Sequence, residues 1–112
     1  MIVRNYKEVN VETVGDGAVN TTIRWLIAEP QGAQNFYMRL LEIGPGGKTP
    51  EHSHDWEHEV FIIEGEGNLE GEDGKIPLKP GDSVYVPGGV KHFFESSGDK
   101  TMKMLCLIPS KK

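Results

Sequence analysis

The chain has four histidines, and three of them fall within seven residues, His52-Ser53-His54-Asp55-Trp56-Glu57-His58. The fourth, His92, follows the turn Pro87-Gly88-Gly89. On an extended chain, residues of equal parity share a face, so His52, His54 and His58 point to one side. A lone histidine is ordinarily a solvated or hydrogen-bonded side chain. Several converging imidazoles would repel one another as cations in an apolar interior. As neutral ligands they suit one divalent transition metal, with His92 closing the site from a later strand. Glu59 stands beside this set. Parity groups His58 with Val60 and Ile62, and Glu59 with Phe61 and Ile63. Parity therefore favours His58 as the ligand. Glu59, in a strand apolar on both faces, needs a partner such as Arg39.

Short strands must position these side chains. Strand-like segments run over 21–28, 36–43, 58–64, 67–71, 75–78, 83–86, 92–96 and 101–109. Turn signals separate them, among them Gly44-Pro45-Gly46-Gly47, Asp73-Gly74, Pro80-Gly81 and Pro87-Gly88-Gly89. No stretch of about 12 residues holds a helical period free of Gly and Pro, so helix is expected to be minimal. The fold class is all-β. About eight to ten strands in so short a chain suggest a closed barrel or a double-sheet jelly roll, and composition does not choose between them. The last residues, Ser110-Lys111-Lys112, and the first few read as tails.

The chain has 112 residues and reads as one domain over 1–112. Lys plus Arg is 12 against 17 Asp plus Glu, a net charge of −5. An acidic chain without a basic run is a poor binder of nucleic acid or anionic membrane. No apolar run approaches the ~20 residues of a membrane span. The N-terminus carries no secretory leader pattern. The single cysteine, Cys106, excludes an intrachain disulfide, and a cytoplasmic location is expected.

The two histidine-bearing segments resemble the motifs of the cupin family. The first family motif is Gly-x5-His-x-His-x(3,4)-Glu-x6-Gly. Gly46, His52, His54 and Gly65 fall on it, giving motif 1 over 46–65. The second is Gly-x5-Pro-x-Gly-x2-His-x3-Asn. Gly81, Pro87, Gly89 and His92 fall on it, with Ser96 in place of Asn, giving motif 2 over 81–96. Counted back from Gly65, the usual glutamate position holds His58, whereas Glu59 keeps the x4 spacing from His54. Two ligand sets follow, with parity favouring the four histidines.

The resemblance implies a single-domain cupin jelly-roll β-barrel, similar to a subgroup of small cupins with four-histidine sites, some holding manganese. It makes Mn or Fe the first choice of metal. Imidazole ligation also accepts Zn, Ni or Cu. Four neutral ligands leave the ion's 2+ charge uncompensated, which favours anionic ligands. A six-coordinate ion would keep two positions open.

In the family the last strands line the barrel mouth. Met104 and Cys106, with Phe94, Met38 and Leu40, are the candidate pocket wall, and Trp56 a cap. Ordinary barrel core is the competing reading for each. The function expected is metal-dependent oxidoreductase chemistry, such as a dioxygenase, on a small organic substrate. The alternative is a non-catalytic metal or small-ligand binding module. A homodimer is expected, because Phe61 and Ile63 face outward and the segment with Ile2 and Val3 offers itself to a partner's sheet edge.

Overall fold

The computed structural model describes residues 1–110 and is all-β, so Lys111 and Lys112 of the expected tail lie outside the described residues. The strands are β1 (Glu12–Thr13), β2 (Val19–Ile27), β3 (Phe36–Lys48), β4 (His58–Glu64), β5 (Gly67–Gly71), β6 (Gly74–Leu78), β7 (Ser83–Val86), β8 (His92–Ser96) and β9 (Met102–Pro109). Helix is confined to two 3-10 turns, Tyr6–Glu8 and Glu29–Gln31. Among the described residues, no helix is long and apolar enough to cross a membrane.

The strands join in the order β6-β5-β8-β3-β9-β4-β7, with β2 and then β1 added on β3. β3 is the hinge of this jelly roll. Its first part pairs with β9 from Phe36 to Ile43, and its last residue, Lys48, pairs with Glu95 of β8. The glycine run at 44–47, expected as a turn, is instead strand. It bends without breaking because Gly46 adopts a positive φ of 71° and Gly47 passes against the backbone oxygens of Val19 and Asn20. The curled sheet thereby brings β8 over β4 and β9.

Alternation then builds one interior. β4 buries His58, Val60 and Ile62 and exposes Glu59, Phe61 and Ile63. β9 buries Met102, Met104, Cys106 and Ile108, and β8 buries His92, Phe94 and Ser96. Ile43, Ile62 and Met102 are fully buried at 0 % exposure. Gly65 closes β4 at φ 78°, where an added Cβ would collide with the Thr101 carbonyl oxygen. That residue therefore has to be glycine on both conformational and steric grounds.

Arg4, Tyr6 and Ser110 are held against the sheet. Arg4 donates to the carbonyls of Trp25 and Leu26. The Tyr6 ring lies by Arg24 and Lys103 on the outer face. Ser110, read as tail, donates to the carbonyls of Gln34 and Asn35.

Candidate metal centre

Backbone pairing gathers the histidines. His52 and His92 are direct antiparallel partners, each N–H donating to the other's carbonyl at 3.3 and 3.1 Å. The turn at 87–89 packs on the loop at 54–56. Gly89 N–H donates to the His54 carbonyl, and a Cβ at Gly88 would meet the Asp55 carbonyl oxygen at 2.7 Å. Motif 2 thus anchors motif 1 through main chain. The ring centroids of His52 and His54 lie 4.1 Å apart, His54 and His58 5.3 Å, and His58 and His92 5.3 Å.

All four rings line one cavity of about 330 Å³. Trp56, Phe94, Met104 and Cys106 line it too. Met38 and Leu40 do not. Arg39 and Leu41 take their place, because the β3–β9 register sets Arg39 opposite Cys106 and Leu41 opposite Met104. Trp25 on β2 and Asp16 at the exposed rim are further lining residues that sequence reasoning missed. The signal for Trp25 was its place in an apolar strand; Asp16 carried none.

Glu59 is exposed on the outer face of β4, opposite Tyr85 and Leu107. The expected pairing of Glu59 with Arg39 is not made, since Arg39 shares the inner face with Val60 through Cys106. Arg39 Nη2 instead donates to Cys106 Sγ at 2.9 Å, and its guanidinium lies 5.3 Å from the Trp25 ring centroid. Trp56 stacks nearly flat on His54, with centroids 4.3 Å apart and ring planes 8° apart. It covers the loop that carries His52 and His54.

The electrostatics favour the neutral form of His52, His54 and His58. Burial, then the Arg39 cation, then the neighbouring imidazoles push His58 from the ordinary 6.5 down to about 3. Burial first, then His92, lowers His52, while burial followed by His52 lowers His54. Burial raises the Cys106 thiol above its ordinary value, against the pull of Arg39. The thiol is therefore protonated at neutral pH and is no nucleophile at rest.

The donor set fits a divalent metal. His92 Nδ1 lies 2.8 Å from the Val90 carbonyl, which can only accept, so Nδ1 carries the proton and Nε2 offers its lone pair. His58 Nδ1 lies 3.5 Å from Cys106 Sγ, and its Nε2 is buried without a partner. An unsatisfied ring nitrogen inside a cavity is costly unless something ligates it. The rings stand packed against each other, however, and among the described residues no three His, Cys, Asp or Glu side chains are arranged to hold an ion as they stand. His52 and His54 are only partly buried.

Known proteins share this fold. A Cupin_2 (cupin domain) model matches residues 39–108. The crystal structure of the polyketide cyclase RemF from Streptomyces resistomycificus superposes with a TM-score of 0.93 at 34 % identity, covering 99 % of this chain and 80 % of that one. The 1-methylthio-D-xylulose 5-phosphate methylsulfurylase of Rhodospirillum rubrum is 29 % identical over 75 residues, 67 % of this chain and 48 % of that protein. The acireductone dioxygenase of Bacillus cereus is 38 % identical over 55 residues, 45 % of this chain and 32 % of that protein. The chain spans about half the length of the first curated relatives it matches. With most of its length, including all four histidines, inside the matched region, the chain belongs to the cupin family.

Proposed function

We propose that this chain is a metal-dependent cupin enzyme acting on a small organic carbonyl compound. The observation that carries the reading is the gathering of four imidazoles on one cavity, with His58 Nε2 buried and unpartnered. His52, His54, His58 and His92 would hold one divalent ion, Mn or Fe by preference, with Zn, Ni and Cu compatible. Such an ion, when bound, supplies a Lewis acid and, as Mn or Fe, an electron relay. Trp25, Leu41 and Phe94 shape an apolar floor, Trp56 limits the entry of water, and Asp16 at the rim is an available proton acceptor.

Whole-chain likeness to a polyketide cyclase supports carbonyl chemistry without net oxidation. A match to acireductone dioxygenase over 45 % of the chain supports the second reading, dioxygen-dependent oxidoreductase chemistry. Polyketides and acireductones are both carbonyl compounds that ionise to enolates, so one pocket chemistry serves either. The test is elemental analysis of protein purified without added metal, followed by turnover of a β-dicarbonyl and reductone panel in an oxygen electrode. Metal-dependent turnover without oxygen uptake supports the first reading, and stoichiometric uptake supports the second. Bound metal with no turnover of the panel would leave a non-catalytic binding module.

A further inference from the structure

We propose that Arg39 makes this cavity selective for anions, so that the ligand carries a carboxylate or enolate oxygen paired with the guanidinium. The inference deepens the reading of the same cavity by naming the charge of its substrate, and it does not depend on the metal. An arginine has five N–H donors and is always charged. Among the described residues its one hydrogen bond goes to a thiol, a weak acceptor, and its Nε is buried with no partner. Among the described residues no carboxylate lies within 4.0 Å of it, whereas Arg24, Lys75, Lys79 and Lys103 all have acidic partners. The lining carboxylate, Asp16, sits at the exposed rim.

A cation held among apolar and imidazole groups without a counter-ion is expensive. Packing alone does not explain it, because a methionine would fill the same space against Trp25 without the charge. The wall beside it is apolar, built by Trp25, Leu41 and Phe94. One end of the cavity therefore suits an oxyanion in the fork geometry of a guanidinium. The remainder suits the hydrocarbon part of the same molecule.

The test uses the full chain, freed of metal by chelation, so that failure to bind a metal leaves it intact. The chain's two tryptophans, Trp25 and Trp56, both line the cavity and report binding by fluorescence. Benzoate and benzamide are the probes, equal in shape and different in charge. The expected result is saturable binding of benzoate, with benzamide weaker by about tenfold or more. Arg39→Met is expected to erase that difference, and Arg39→Lys to restore part of it. Equal binding of the two probes to the unaltered protein overturns the inference, as does binding of neither. Unchanged benzoate selectivity in Arg39→Met overturns it as well. The comparison on the unaltered protein stands even if that variant does not fold.

Discussion

Acid should destabilise the metal-free protein through His58 in particular. The folded ring titrates near 3 and the unfolded ring at 6.5. The unfolded chain therefore takes up this proton first as pH falls. The His58 contribution is absent above about pH 7, grows between 6.5 and 3, and is constant below. At pH 4.5 the two-unit gap below 6.5 corresponds to about 2.7 kcal/mol at full strength. The cavity is open to water on one side, and screening brings the figure to about 1–2 kcal/mol. For a domain of this size that lowers Tm by roughly 5–10 °C. The assay is thermal unfolding of chelated protein between pH 7.5 and 4, for the unaltered chain and for His58→Gln. His52 and His54 shift in the same direction and remain in the variant, so the difference between the two pH profiles isolates His58. Parallel profiles would refute the reasoning.

Metal should raise the Tm of the chelated protein at pH 7.5. Removal of His58 should abolish most of that gain, whereas Glu59→Gln, on the outer face, should leave it unchanged; a lost gain in Glu59→Gln sinks the four-histidine set. Gly65→Ala should cost at least about 2 kcal/mol in urea unfolding, from positive φ together with the collision at Thr101. We also propose that the outer face of β4 and β7 is covered by a second copy of the chain. Phe61 is 46 % and Tyr85 60 % exposed there, with Ile63 beside them. Sedimentation should show a species of twice the 12.4 kDa chain, converted to monomer by Phe61→Glu; a monomer at micromolar concentration refutes this.

Much of the centre was legible along the chain, because strand parity is a local property. His58, Val60 and Ile62 alternate with Glu59, Phe61 and Ile63 whatever the rest of the molecule does, and burial follows that alternation. Gly65, Gly81 and Gly89 were readable for the same reason, since a backbone turn with positive φ needs glycine wherever it sits, whereas Gly46, expected in a turn, bends a continuous strand. The face of β3 was not readable. Leu40 and Leu41 are both buried, so hydrophobicity on that strand does not distinguish inside from outside. Tyr6 lies by Arg24 and Lys103, which pair in register with Leu40 and Glu42, and so covers the outer side. Only the long-range register with β9, Arg39 against Cys106, turns Arg39 into the cavity and Met38 and Leu40 away from it. A one-residue slip in that pairing would exchange the two sets. Sequence determined which side chains could share a face. The tertiary pairing of strands, with Arg39 and Cys106 67 residues apart, decided which face encloses the imidazoles, and with it placed beside them a cation that has no carboxylate partner among the described residues.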